Sequence, residues 1–329
     1  MRWGHRHLLL CRTWLCRTWL CLTWLCLTCL AACQFDPGPV AGRGGEGTGA
    51  DGEGGGDPTR PDGAASADAP PLPEGLPSFG GPIMVVDTGF TDDDPSLTAD
   101  QLDLFFGSDA GSGTDEDIWT AHRDRVDLPF EPPTEVSGLA TSLEDTTMKV
   151  SADGLSLVFT RVQSMDNPDL YLATRDRRDA AWSSAHALAE LNTDASEWSP
   201  HLLPDGKTLL FCSNRLGDEE IFAAVRSSTT TPFGPPIHVT GISTSDHECD
   251  PMMAGDELLF FTRQFADNLA DSDIFVARRR SGWDFGDVTR LDELATPNQD
   301  RDPWVSPDLS TIYFSSDRGG ASDVFMATR

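Results

Sequence analysis

Acidic residues return along this chain at nearly constant intervals. Asp92, Asp145, Glu197, Glu248 and Asp300 follow one another at steps of 53, 52, 51 and 52 residues. Carboxylates at equivalent places in a repeat have three chemical uses. If they converge, mutual repulsion raises their pKa values or a hard cation such as calcium is recruited to a channel ring of all five. If two of them differ in environment, one neutral and one ionised, they make the acid and base of a glycan-cleaving enzyme, with Glu197, Glu248 and Asp300 as candidates. If each accepts backbone N–H bonds where its own strand begins, the role is structural, and recurrence in every unit favours that use.

Positions where the units differ are more informative about a ligand, since a fold constraint alone does not demand variety. Ser96, Lys149, His201, Met252 and Trp304 occupy one such position, with Trp198, His247 and Arg301 close by in sequence. Lys149, Trp198, His201, His247, Arg301 and Trp304 are therefore the candidates for holding a polar ligand such as a glycan or peptide; packing between units is the competing use. A second acidic series, Asp117, Asp169, Glu220, Asp273 and Asp323, stands just before an apolar pair in each unit and reads as structural, fixing a hairpin.

Other chemistry is thin. HExxH and GxSxG are absent, and Asp205-Gly206-Lys207-Thr208 imitates the end of a phosphate loop with His201 where its first Gly must stand. Gly47-Thr48-Gly49-Ala50-Asp51-Gly52 matches GxGxxG in a stretch with no strand before it and no helix after it. His201 and His247 lack zinc-type spacing to Cys or His. The turn from Asp109 to Asp117 has the acids for weak calcium binding, and a solvated loop is the expectation there.

The elements that position these residues come from a repeat. Each unit ends in an acid, an aliphatic and an aromatic: Asp117-Ile118-Trp119, Asp169-Leu170-Tyr171, Glu220-Ile221-Phe222, Asp273-Ile274-Phe275 and Asp323-Val324-Phe325. An Asp-containing turn precedes each, as in Ser151-Ala152-Asp153-Gly154 and Pro204-Asp205-Gly206, with a short apolar run between the two landmarks. Short strands between Gly, Asp and Pro turns at a period near 50 residues predict an all-β fold of four-stranded propeller blades. Five units are recognisable. Pro82-Ile83-Met84-Val85-Val86 is similar to Pro236-Ile237-His238-Val239-Thr240, so the N-terminal segment is expected to complete the last blade and close the ring.

Ser199-Pro-His-Leu-Leu-Pro-Asp-Gly-Lys-Thr-Leu-Leu-Phe-Cys-Ser-Asn-Arg215 and Asp302-Pro-Trp-Val-Ser-Pro-Asp-Leu-Ser-Thr-Ile-Tyr-Phe-Ser-Ser-Asp-Arg318 resemble TolB-type repeats, the WD-like propeller repeats of bacterial envelope proteins. The resemblance spans residues 82–329, is closest in the third and fifth units and loosest in the first. It implies a binding or scaffold role without catalysis, toward an envelope protein or cell-wall polymer. Such propellers usually have six blades, a departure that weakens any transfer of channel residues.

The first 32 residues read as a lipoprotein signal peptide: Arg2, Arg6, Arg12 and Arg17 precede an apolar run ending in Leu30-Ala31-Ala32-Cys33, which resembles the lipobox. Cys33 would carry the lipid, and the uncharged Gln34 fits outer-membrane sorting. Residues 33–80, rich in Gly, Ala, Pro and Asp, form a tether, and 81–329 the propeller. Cys212 and Cys249 alone among eight cysteines fall in the propeller; two free buried thiols are the expectation, an oxidised pair the alternative. With 53 acids against 24 Lys and Arg, and with Lys149 and Lys207 the only lysines, the chain is excluded as a nucleic-acid binder. No organic cofactor is called for.

Overall fold

Aromatic and β-branched residues between turn formers make short strands, and a strand buried on both faces reads as a continuous apolar run. Leu209-Leu210-Phe211 and Ile312-Tyr313-Phe314 are such runs, each fully buried. A computed structural model describes residues 78–111, 115–163 and 167–329. The leader, Cys33 and the tether lie outside the described residues up to 77.

Twenty strands form five four-stranded antiparallel sheets, with no helix among the described residues. After β1 (Ile83–Val86), blade 1 comprises β2 (Asp92–Leu97), β3 (Asp103–Ser108), β4 (Asp117–His122) and β5 (Thr134–Glu135). Blade 2 is β6 (Glu144–Val150), β7 (Ser156–Val162), β8 (Pro168–Thr174) and β9 (His186–Ala187). Blade 3 is β10 (Glu197–Leu202), β11 (Thr208–Ser213), β12 (Glu220–Val225) and β13 (Ile237–His238). Blade 4 is β14 (His247–Ala254), β15 (Leu258–Gln264), β16 (Ser272–Ser281) and β17 (Asp284–Arg290). Blade 5 has β18 (Asp300–Val305), β19 (Thr311–Ser316) and β20 (Asp323–Thr328), and its outer strand is β1, which pairs Met84 with Phe325. The five-bladed propeller closed by the N-terminal strand is thus the fold.

Inside each blade the second and third strands are pinned by a cross-strand aromatic pair. Phe159–Tyr171, Phe211–Phe222, Phe261–Phe275 and Phe314–Phe325 sit with ring centroids 5.9, 5.9, 5.8 and 6.0 Å apart. Each such pair contributes about 0.5–1.5 kcal/mol beyond its burial. Blade 1 places Phe106 opposite Trp119 instead.

Cys212 on β11 and Cys249 on β14 form a disulfide, with Cα atoms 5.2 Å apart. This corrects the expectation of free thiols. The second strand of one blade lies against the first strand of the next, a proximity that a sequence separation of 37 does not reveal.

Candidate functional site

The innermost strands decide what occupies the axis. A proline inside a central strand cannot donate to the ladder, so it is tolerated only at a bulge. Pro95, Pro200, Pro251 and Pro303 sit in this place, with Met148 as the blade 2 equivalent, and the register shifts there in all five blades. The residue before each takes positive φ: Asp94 at 56°, Thr147 at 49°, Ser199 at 49°, Asp250 at 52° and Asp302 at 57°. Asp tolerates this conformation; for a β-branched Thr it is strained and must be held by its surroundings.

These five residues meet, one from each blade. Thr147 N donates to Asp94 Oδ2 at 2.9 Å, Ser199 N to Thr147 Oγ1 at 3.1 Å, and Ser199 Oγ to Asp250 Oδ1 at 2.6 Å. Asp302 lies near both Asp250 and Asp94, close enough that its charge acts on each, which completes the ring. Lys149 donates from Nζ to Pro95 O at 3.0 Å and feels the charges of Asp302, Asp94 and Asp250. Arg301 reaches Asp93 at 3.0 Å and Asp302 at 3.6 Å.

Acids outnumber the two cations in this enclosed place, and their titration is shifted accordingly. Asp94 is pushed well above the usual carboxylate range by burial first, then by Asp302, Asp93 and Glu116. Asp250 is raised to about 7 by burial and by Asp302. Burial also works against ionised Asp302, but Arg301 and Lys149 outweigh it and hold its pKa low. Asp94 and Asp302, side by side at the axis, are thus driven in opposite directions. Glu116 joins the edge of this network: Thr146 Oγ1 lies 2.6 Å from Glu116 Oε1 and 3.0 Å from Asp94 Oδ2. Gly107 makes room for it, since a Cβ there would fall 2.0 Å from Glu116 Oε1.

The five acids singled out by spacing are placed otherwise. Asp145, Glu197, Glu248 and Asp300 are ion-paired within their own blades to Arg161, Arg215, Arg263 and Arg318 at 2.6, 2.9, 2.7 and 2.5 Å. Each guanidinium lies over the blade's aromatic pair and donates to a carbonyl of the preceding turn: Leu139, Leu191, Ile242 or Leu294. Backbone N and Oγ1 of Thr88, Thr193, Thr244 and Thr296, four residues upstream, donate to Asp92, Glu197, Glu248 and Asp300. Blade 1 lacks the arginine, and Asp92 is served by Thr88 and Ser108. Among the described residues these carboxylates, Glu197, Glu248 and Asp300 included, form no cluster of metal-ligand spacing. Their lone pairs are consumed inside each blade. Among the described residues, Asp93, Asp94 and Glu116 form a group of three carboxylates with oxygens within 4.8 Å of one another, and Arg301 reaches Asp93 at 3.0 Å.

The ligand candidates separate too. Lys149 and Arg301 belong to the axial network. His201, 7% exposed and lowered to about 3 by burial and then by Lys149, is buried on β10. Trp304 is buried and packs edge-on against Tyr313, 5.8 Å between centroids, within the apolar core that includes Met252. Trp198 and His247 are half-buried, the latter 4.0 Å from Glu219. An open depression of about 570 Å³ lined by Asn167, Asp169, Asn192, Thr193 and Asp194 contains none of the six. The bulge residues were missed by sequence reading, although (Asp/Glu)-x-(Asp/Ser)-Pro in four units and Thr-x-x-x-(Asp/Glu) in all five were there to be found.

The two faces differ in charge. The inner strands start at one face, formed by loops 87–91, 136–143, 188–196, 239–246 and 291–299 with 109–116, 163–167, 214–219, 265–271 and 317–322. Its described residues hold fourteen acids and two arginines, Arg215 and Arg318, both already ion-paired. Loops 98–102, 123–133, 151–155, 175–185, 203–207, 226–236, 255–257, 282–283 and 306–310 on the opposite face hold eleven acids and seven bases.

This architecture defines a five-bladed β-propeller with its axis filled by side chains. No protein-family model matches the chain, and no curated protein matches it. Among solved structures it is similar to an endo-arabinase from Bacteroides thetaiotaomicron VPI-5482, at 14% identity over 77% of this chain and 98% of that one, TM-score 0.53. An alpha-L-arabinofuranosidase from Lactobacillus brevis is similar at 12% identity over 75% and 94%, TM-score 0.53. TolB from Acinetobacter baumannii matches at 15% identity over 74% of this chain, with TM-score 0.48, and the chain spans 55% of that protein's length. At such identities what is shared is the fold.

Proposed function

We propose that this protein is a non-catalytic binding module of the bacterial envelope, anchored at the outer membrane through lipid on Cys33 and presenting the acidic face of its propeller to an envelope protein or cell-wall polymer. The observation that carries this reading is the axial ring. Asp94, Ser199, Asp302, Lys149, His201 and Trp304 are each at most 7% exposed, so these axial side chains offer a ligand little surface. Recognition then falls to the loops.

Glycan cleavage is the second reading, favoured by the fold likeness to arabinan-processing enzymes and by the opposed pKa shifts of Asp94 and Asp302. A glycosidase needs its two carboxyl groups about 5–9.5 Å apart across a sugar. Asp94 and Asp302 lie close enough to shift each other's titration and are only 5% and 3% exposed, so they leave little room for a sugar between them. The deciding experiment is mild cross-linking of the tagged, lipidated protein in its native envelope, alongside assays of reducing-sugar release from envelope and plant polysaccharides. A stoichiometric partner with no sugar release is expected; release that disappears in Asp302→Asn would reverse the assignment to an enzyme.

A further inference from the structure

The acidic face is not uniform, and its sector over blades 3 and 4 has the features of a built contact surface. Leu216 and Leu269, at the tips of loops 214–219 and 265–271, are 65% and 53% exposed. Around them stand Asp218 and Asp267, exposed, and Glu219, Asp246 and Asp271, half-buried. Arg215 is the only Lys or Arg in loops 214–219, 239–246 and 265–271, and it is committed to Glu197.

The sector is held rigidly. Ala266 N donates to Asp246 Oδ1 at 3.0 Å, tying loop 265–271 to loop 239–246, and Glu248 N donates to Glu219 O at 3.1 Å, tying blade 4 to the loop of blade 3. Gln264 and Gln299 both donate to Leu269 O, at 2.9 and 3.1 Å, fixing the backbone beneath the exposed leucine. The Cys212–Cys249 disulfide joins the same two blades. Solvent-exposed leucines on constrained backbone lose little entropy when covered, so this arrangement lowers the cost of binding.

We propose that this surface docks a lysine- or arginine-rich polypeptide segment with apolar side chains that cover Leu216 and Leu269. The proposal rests on the binding-module reading and names its partner class. Charge complementarity selects that occupant: a formal charge of −29 sets a second copy of the chain against it, and the acids repel anionic lipid headgroups. A neutral glycan would want an aromatic platform, and Phe265, the one aromatic in the three loops, is buried.

The test is titration of the full mature chain with a short synthetic peptide of lysines carrying leucines, against the same peptide with glutamates for lysines or serines for leucines. Binding of the Lys–Leu peptide is expected to weaken about tenfold or more in Leu216→Ser with Leu269→Ser, in Asp218→Asn with Asp267→Asn, and in about 0.5 M salt. Glu131→Gln with Asp256→Asn, on the opposite face, should leave it within about twofold. These substitutions are at exposed positions and spare the fold. Equal binding by the sector variants, or equal binding of the glutamate or serine peptides, overturns the docking site while leaving a binding module with another surface. Polysaccharide cleavage by the same preparation would instead overturn the functional reading.

Discussion

Two rings of polar residues surround the propeller axis two positions apart in sequence, and they work in opposite ways. The ring of Asp145, Glu197, Glu248 and Asp300, with Asp92 as its variant, is nearly uniform because each member is satisfied inside its own blade by an arginine, an upstream threonine or both. The ring of Asp94, Thr147, Ser199, Asp250 and Asp302 is mixed because its members touch one another. Five carboxylates in mutual contact would repel; Thr and Ser interrupt them, and burial with repulsion raises the pKa values of Asp94 and Asp250, so these two ionise less readily. Uniform recurrence marks a residue that serves its repeat, and variety at an equivalent position marks the place where repeats meet.

This contrast is sharpest where a single change should do the most damage. Arg263→Ala strips Glu248 of its buried counter-charge and the Phe261–Phe275 pair of its guanidinium, and should destabilise by about 3–5 kcal/mol, seen as a Tm about 10 °C lower. Asp302→Asn removes the axial carboxylate whose pKa Arg301 and Lys149 lower, and takes one counter-charge from each of these cations. A loss of about 2 kcal/mol by urea unfolding is expected. If Asp302→Asn proved as harmless as an exposed change, the axial ring would not be a structural tie between blades.

The pH dependence follows from the same ring. Asp250 at about 7, and Asp117, Asp273 and Asp323 at about 6, hold their protons more tightly folded than unfolded. Their contribution is complete below the ordinary carboxylate pKa and is lost as pH rises through 6 to 7. The lowered Asp302 and Asp308, the latter at about 2, act the other way in stronger acid. Thermal melts should therefore peak near about pH 4–5 and decline toward about pH 8, and Asp250→Asn, fixed in the neutral form, should make that decline shallower. The smallest effect separates two threonines. Thr193→Ala, losing the Oγ1 bond to Glu197, should cost about 1 kcal/mol, whereas Thr141→Ala should cost nearly nothing because Thr141 donates to Leu143 O and not to Asp145.

Much of this was legible in the chain. The period of about 50, the paired landmarks and the likeness of Pro82–Val86 to an outer strand led to five blades closed by the N-terminal segment, and β1 pairs with β20 accordingly. The acidic series was found at its true spacing, but the partner that empties it of chemistry was not. Arg161 and Arg263 lie two residues after the stacked Phe, Arg215 and Arg318 four residues after it, so the arginines do not align in the repeat although their guanidinium groups reach equivalent places.

Local propensity and periodicity by themselves determined the strands, the turns, the blade count and the closure, because strand and turn choices depend on neighbours a few residues away. Only the tertiary structure decided which polar groups meet. The disulfide between Cys212 and Cys249, the opposed shifts of Asp94 and Asp302, and the placement of Lys149 and Arg301 beside them all join residues of different blades. Charge interactions at the axis depend on distance and burial, and neither quantity is written in sequence spacing.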